Sequence, residues 1–172
     1  SQLEGLTKTK EVRVPGTNFI NPAEGQFTSP FGFRLWKSGK MWRHKFHAGI
    51  DIGAARGTPI VASKAGTVIF SGRLSRTYGN AIILSHGNGV ETLYAHCSKT
   101  TAKAGDLVRQ GETIGLMGRT GRATGDHVHF EIRLNGTCID PSNYLDLPDT
   151  KYAAVTNKKD AATGGGEDEG DE

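Results

Sequence analysis

The stretch HVHFEIRL, residues 127–134, decides the fold class that the sequence predicts. Its apolar residues stand at every second position, from Val128 to Leu134, with polar residues between them. This period of two is typical of a β-strand with one face in the core. The polar face begins with His127 and His129, which therefore point to the same side, roughly 6.5–7 Å apart. Two imidazoles at that spacing can serve one chemical centre.

The chain from Ile20 onward repeats this pattern of short apolar runs between glycines, of which the sequence holds 24. His86-Gly87-Asn88-Gly89 separates two strand-like runs and predicts a hairpin. Residues 106–118 (DLVRQGETIGLMG) predict a further pair of short strands. No long apolar stripe of helical period is present, so we expect a mostly β domain of antiparallel sheets with little helix.

Composition divides the 172 residues into three parts. Residues 1–19 are polar and without period, and we interpret them as a linker or the end of a preceding region. Residues 20–147 form the predicted domain, within which the basic, aromatic segment 34–47 (RLWKSGKMWRHKFH) is expected to be a surface loop. Residues 148–172 lose apolar content and end in GGGEDEGDE, which predicts a disordered acidic tail. The start at Ser1 indicates a fragment of a longer protein.

Charge is unevenly distributed along the chain. Residues 1–150 carry 18 basic and 12 acidic side chains, whereas residues 151–172 carry three and six. A basic body suits an anionic polymer such as nucleic acid, teichoic acid or the carboxylates of wall peptides, and ordinary solubility explains it equally well. No apolar run approaches the ~20 residues of a membrane span. Cys97 and Cys138 permit one disulfide or two buried thiols.

Histidines suggest a metal centre. The pair His127 and His129, the spacing His47-Ala-Gly-Ile-Asp51 and the strand-like run ending at His96 each place an imidazole near the end of a polar face. If residues 47–51 are extended, Gly49 leaves a space between an imidazole and a carboxylate that a metal could fill. Catalytic zinc takes three such ligands and keeps a fourth position open. A histidine that does not bind the metal can then act as general base, since its pKa lies near 7.

Alternation along residues 90–96 predicts that Thr92, Tyr94 and His96 share one face. The remaining histidines, His44 and His86, have no partner at metal spacing and are expected on the surface.

Several motifs, taken in order, resemble the lysostaphin-type, or LytM-like, zinc endopeptidases. They are HAGIDIG (47–53), YGNAIILSHGNGVETLYAH (78–96), VRQGETIG (108–115), TGRATGDHVHFEIRLNG (120–136) and DPSNYL (140–145). FTSPFGFR (27–34) is similar to the usual opening of that domain. The resemblance covers residues 25–145, most of the chain that is expected to fold.

The resemblance implies a fold of compact antiparallel sheets with an open groove, and a Zn²⁺ cofactor. It implies that His47, Asp51 and His129 bind the metal, and that His96 and His127 are the catalytic histidines beside it. Sequence does not divide the roles of those two histidines. Asn80 and Tyr94 are candidates for the substrate groove, although both could equally be structural.

Family membership further implies hydrolysis of peptide bonds in the stem or cross-links of bacterial peptidoglycan. The expected partner is therefore a wall peptide and not nucleic acid, and the domain is expected to be monomeric. We expect a location in the cell envelope, periplasmic or secreted, as part of a longer exported protein. Two alternatives stay open: a non-catalytic or gated module that binds the wall or activates amidases, and a phage-borne wall lysin.

Overall fold

The computed structural model describes residues 18–145, which fold into β-strands with one short 3-10 helix at Pro141–Asn143. The strands are β1 (Gln26–Ser29), β2 (Gly32–Ser38), β3 (Met41–His47), β4 (Ile50–Gly53), β5 (Pro59–Val61), β6 (Gly66–Ser75), β7 (Gly79–Ser85), β8 (Val90–Thr100), β9 (Leu107–Val108), β10 (Thr113–Met117), β11 (His127–Leu134) and β12 (Thr137–Ile139). Every strand pairing is antiparallel. The predicted fold class is confirmed.

Ten strands form one sheet, and β2 and β3 form a separate two-stranded sheet. The main path runs β1-β4-β11-β8-β7-β6-β9, with β12 beside β11, and with β10 paired to both β5 and β8. The predicted hairpin between β7 and β8 is confirmed. Its turn contains Gly87, Asn88 and Gly89, all with positive φ, a conformation that glycine and asparagine adopt most readily.

The core lies against the apolar side of the central strands. Val128, Phe130 and Ile132 of β11 are buried in it together with Ile50 and Ile52 of β4. The alternation predicted for residues 127–134 is therefore correct, but the polar face is not open to solvent. His127, His129 and Glu131 are buried as well, because other parts of the chain cover that side of the sheet.

The prediction of a surface loop at residues 34–47 is wrong. These residues form the β2–β3 hairpin, closed by a two-residue turn in which Gly39 has a φ of 61°. The sequence does not reveal these strands because both faces of the hairpin are largely exposed, so no buried apolar residues mark a period of two. Phe33 remains 79% exposed and Trp42 50% exposed.

The first described residues pack against the main sheet. Phe19, at the end of the predicted linker, packs into the core, and Ile20 donates its backbone N–H to the Ser63 carbonyl. The rest of the predicted linker and the acidic tail lie outside the described residues. Between residues 18 and 145, no helix has the length and apolar character needed to cross a membrane.

The two cysteines are free thiols and not a disulfide. Cys97 lies in the core, where burial raises its pKa to about 12, and Cys138 is half-buried.

Candidate metal centre

Three side chains from two adjacent strands and a neighbouring hairpin converge on one point. Asp51 of β4 lies directly opposite His129 of β11 in the strand register, and His47 is the last residue of β3. All three side chains are buried, with about 2% of each exposed. The chain bends at residues 48–49, between β3 and β4, and this bend turns His47 toward Asp51.

Gly49 does not act as the sequence suggested, since it leaves no space for a metal. A Cβ atom built on Gly49 would lie 2.2 Å from the Phe130 carbonyl oxygen. The glycine is instead required because the bend passes against the backbone of β11. That close approach brings His47 within reach of His129.

The three candidate ligand atoms form a small triangle. His47 Nε2 lies 3.1 Å from His129 Nδ1 and 3.3 Å from Asp51 Oδ1, and His129 Nδ1 lies 2.9 Å from Asp51 Oδ1. A tetrahedral zinc ion with bonds of about 2.0–2.2 Å separates its ligand atoms by about 3.3–3.6 Å. The three atoms therefore need to move apart by only a few tenths of an ångström to fit zinc.

Hydrogen bonds on the outer side of the His47 and His129 rings leave a lone pair of each ring facing the centre of the triangle. His129 Nε2 lies 3.0 Å from Glu131 Oε1, and His47 Nδ1 lies 2.8 Å from the Pro30 carbonyl oxygen. Both oxygens are acceptors, so each of these ring nitrogens carries the proton, and the opposite nitrogen is an electron-pair donor. His47 Nδ1 also lies 2.9 Å from Arg34 Nη2. It cannot both donate to Pro30 and accept from Arg34, and only the Pro30 bond leaves Nε2 available to a metal.

Both carboxylates around the histidines are ionised. Burial opposes ionisation of Asp51, but its close contacts with the His129 and His47 rings outweigh this effect and hold its pKa well below the usual range. Burial likewise opposes ionisation of Glu131, and hydrogen bonds with His129 and Tyr78 lower its pKa to about 2. The three atoms of the triangle are thus two ring lone pairs and a carboxylate oxygen. Three electron-rich atoms this close repel one another unless a cation lies between them. Metal sites have this arrangement of donor atoms.

His96 and His127 lie beside this triangle as a second pair. Their ring centroids are 4.8 Å apart, and His127 Nε2 lies 3.8 Å from Asp51 Oδ2. His127 Nδ1 donates to the Gly125 carbonyl at 3.0 Å, and His96 Nδ1 donates to the Thr120 carbonyl at 2.7 Å. In their neutral forms both rings therefore present Nε2 as a proton acceptor. Burial lowers the pKa of His127, against the attraction of Asp51, so this ring is neutral at pH 7.

A break in the regular strand brings His96 to the site. The register between β7 and β8 shifts between Asn80 and Ile82, and His96 has a φ of 62°. This left-handed residue reverses the alternation, so His96 and Tyr94 do not share a face as predicted. Left-handed backbone is costly for a residue with a side chain, and such strain concentrates at functional sites.

Tyr94 belongs to the core and not to a groove. Its ring packs against Phe130 at 5.3 Å between centroids, and its hydroxyl oxygen accepts from Ser63 N–H at 2.8 Å. Burial raises its pKa above the ordinary range. The prediction of a place in the substrate groove is therefore wrong for Tyr94.

Asn80 lies closer to the site. Its backbone N–H bonds Thr120 Oγ1 at 3.0 Å, and the Thr120 carbonyl in turn holds His96. Its side chain is half-buried, and a role in substrate binding stays a prediction.

The two remaining histidines lie apart from the triangle. His44 is exposed on β3 as predicted. His86 is half-buried instead of exposed, and its ring nitrogens lie 2.7 Å from the Ala65 carbonyl oxygen and 2.7 Å from Thr92 Oγ1.

Sequence reasoning missed Glu131, which is fully buried behind His129. Tyr78 donates its hydroxyl to Glu131 Oε1 at 2.6 Å, and Arg133 Nε donates to Glu131 Oε2 at 2.7 Å. The signal was available, since Glu131 continues the polar face that begins with His127 and His129. A carboxylate two residues beyond a ligand histidine on one strand face is placed to receive its outer N–H.

Residues 45–141 match the model of peptidase family M23. The chain belongs to this family, and the family predicted from the motifs is confirmed.

Individual relatives agree with this assignment. The chain is 45% identical over 143 residues to the DD-carboxypeptidase/endopeptidase Mpg of Neisseria meningitidis, covering 79% of this chain and 32% of that protein. It is 39% identical over 104 residues to the peptidoglycan DD-endopeptidase ShyC of Vibrio cholerae, covering 60% and 24%. A crystal structure of a zinc-containing peptidase from Vibrio cholerae superimposes with a TM-score of 0.65 at 33% identity, covering 77% of this chain and 41% of that one. The chain thus spans about a third or less of the length of these curated relatives.

Proposed function

We propose that this chain is a zinc-dependent endopeptidase that hydrolyses peptide bonds in the stem or cross-links of bacterial peptidoglycan. One observation carries the proposal: three electron-pair donors face a single point, and the imidazoles of His96 and His127 stand next to it. A purely structural cluster would fill that point with a hydrogen-bond donor. The name of the Vibrio cholerae relative ShyC supports peptidoglycan as the substrate.

His47 Nε2, Asp51 Oδ1 and His129 Nδ1 would hold the zinc. Two imidazoles and one carboxylate match the ligand types of catalytic zinc sites in peptidases. When bound, zinc supplies Lewis-acid polarisation of a carbonyl and lowers the pKa of water to ~7. Glu131 and the Pro30 carbonyl keep the two rings in the tautomers and orientations that this binding requires.

His127 and His96 would move the protons of the reaction. As the water oxygen bonds to the carbonyl carbon, its proton passes to Nε2 of one of these rings. The other ring, whose Nδ1 already donates to a backbone carbonyl, is protonated at Nε2 as well and donates a hydrogen bond to the carbonyl oxygen on which negative charge develops. When the C–N bond breaks, the protonated ring returns its proton to the leaving amine. Burial of His127 favours this cycle because a neutral imidazole must be present before water reacts.

The unit that performs this reaction would be the predicted domain of residues 20–147, with residues 1–19 as a linker and residues 148–172 as an acidic tail. We place it in the cell envelope, where peptidoglycan is located, as a monomeric part of a longer exported protein.

The decisive experiment measures new amino termini released from purified peptidoglycan. The protein is assayed as purified, after chelation, and after zinc is returned. Cleavage that is lost on chelation and restored by zinc supports the proposal, and the released fragments identify the bond. No release from walls of either direct or glycine-bridged cross-link type, with zinc bound in equal ratio to protein, would contradict it and favour a gated or binding module.

A further inference from the structure

The β2–β3 hairpin carries most of the net charge of the described region. Residues 18–145 contain 15 basic and 8 acidic side chains, a net of +7. The hairpin contributes five of the basic residues and no acid. Charge concentrated on one small exposed element forms a local field that ordinary solubility does not require.

The hairpin sorts its side chains onto two opposite faces. Directly paired residues of an antiparallel hairpin point to the same side, and the side alternates along each strand. His47, Arg34, Lys45 and Arg43 occupy register positions on one side. We call the side that carries Arg34, Arg43 and Lys45 the cationic face. The other side carries the exposed apolar residues Phe33, Leu35, Trp42 and Phe46, together with His44 and one basic residue, Lys37.

The cationic face begins at the metal centre. His47, one of the three proposed zinc ligands, is on the same side of the hairpin, and Arg34 Nη2 lies 2.9 Å from its Nδ1. Lys45 and Arg43 follow two and four residues away along β3, and Arg43 is exposed. At about 3.3 Å per residue, the face extends roughly 13 Å from the metal centre, the length of about four extended peptide residues.

We propose that the cationic face is a specificity surface for carboxylate groups of the peptide substrate, within about four residues of the scissile bond. This inference rests on the proposed function. A peptide is favoured over a separate anionic polymer because the face is continuous with the reaction centre, so that its ligand must be attached to the bond that is cut. Exposed cations that attract such carboxylates act mainly on binding, and their effect weakens with added salt.

The test uses a cross-linked peptide purified from bacterial wall, with its carboxylates either free or converted to carboxamides. We expect KM to be about three- to tenfold lower for the free form at low salt, with similar kcat. Arg43→Gln should remove most of this difference, and Arg43→Glu should reverse it. Arg109→Gln is the matched control: this exposed arginine directly follows β9, at the edge of the main sheet five strand positions from β4.

The results separate this inference from the proposed function. Equal KM for the two peptides, while the wall is cleaved, would overturn the cationic face as a specificity surface and leave the activity intact. If neither peptide is cleaved, tryptophan fluorescence measures binding alone. A preference for the free form that Arg43→Gln abolishes would support the surface, and no preference would overturn it. Tighter binding of inorganic polyphosphate than of the peptide at equal charge, weakened by Arg43→Gln, would also overturn the peptide assignment.

Discussion

Two buried polar clusters of this molecule differ in the balance between hydrogen-bond donors and acceptors. The Tyr94 hydroxyl is hydrogen-bonded to the Ser63 N–H and to the Thr92 hydroxyl. The Thr92 hydroxyl is also bonded to the His86 ring, whose other nitrogen is bonded to the Ala65 carbonyl. Around Asp51, the outer nitrogens of His47 and His129 are satisfied, but the inner atoms are all acceptors. We call the first the Tyr94 cluster and the second the Asp51 cluster. A matched cluster stabilises the fold, whereas a surplus of acceptors marks a place for a cation.

The largest expected effect comes from removing a donor of the Asp51 cluster. His129→Ala should lose zinc, and its rate of cleavage should fall by about a thousandfold or more. The metal contributes several kcal/mol of transition-state stabilisation, and each 1.36 kcal/mol is a factor of ten in rate. Metal analysis by mass spectrometry and the amino-terminus assay check this result. Full zinc content in His129→Ala would show that the ligand set is wrong.

A smaller effect on zinc binding is expected at Glu131, which accepts a hydrogen bond from the outer nitrogen of His129. Glu131→Gln, which loses the carboxylate but keeps an acceptor for His129 Nε2–H, should weaken zinc binding by roughly tenfold, and Glu131→Leu by up to about a hundredfold. A chelator competition gives the affinities, and Cys138→Ser, which alters another neighbour of Glu131, is the control. Unchanged affinity in Glu131→Leu, with the fold intact by circular dichroism, would limit Glu131 to a packing role.

The Tyr94 cluster should respond in stability and not in zinc binding. Tyr94→Phe leaves the buried Ser63 N–H without its acceptor, at a cost of about 1–3 kcal/mol in the free energy of unfolding. Urea denaturation measures the loss. A change in zinc affinity of tenfold or more would break the distinction between the two clusters.

The smallest effect concerns pH. Burial lowers the pKa of His86, so the unfolded chain takes up a proton at higher pH than the folded one. Stability should therefore be complete above about pH 6.5 and fall as the pH drops below it, until the folded His86 is also protonated. His86→Gln, which cannot titrate, should show a shallower fall in melting temperature between pH 7 and 5. Parallel curves for the two proteins would rule out His86 as the source.

Much of the architecture was predictable from local patterns. Alternation along residues 127–134 gave the central strand, and the glycine-rich turn at 86–89 gave the hairpin. The polar face of β11 contains His127, His129 and Glu131, and the sequence pattern predicts a functional role only for the two histidines. These predictions work because a strand has a fixed period and turns need particular residues.

Other features depend on single backbone angles or on contacts between distant segments. The left-handed conformation of His96 changes which face its side chain occupies, and no sequence period reveals it. Tyr94 was misplaced for the same reason. The sequence suggests that Gly49 leaves a space for a metal. In the structure a glycine is required there because the backbone of Phe130, 81 residues further along the chain, leaves no room for a Cβ atom. The β2–β3 hairpin has a period of two without a buried face, so its residues read as a loop.

The division of labour between the metal ligands and the neighbouring histidines is the central claim of this account. The most direct measurement is the zinc content of His127→Ala together with its rate of peptidoglycan cleavage. We expect zinc bound as in the unaltered protein, and a rate lower by about a hundredfold to ten-thousandfold, the usual contribution of a general base. Full cleavage by His127→Ala, or loss of its zinc, would contradict the separation of proton transfer from metal binding.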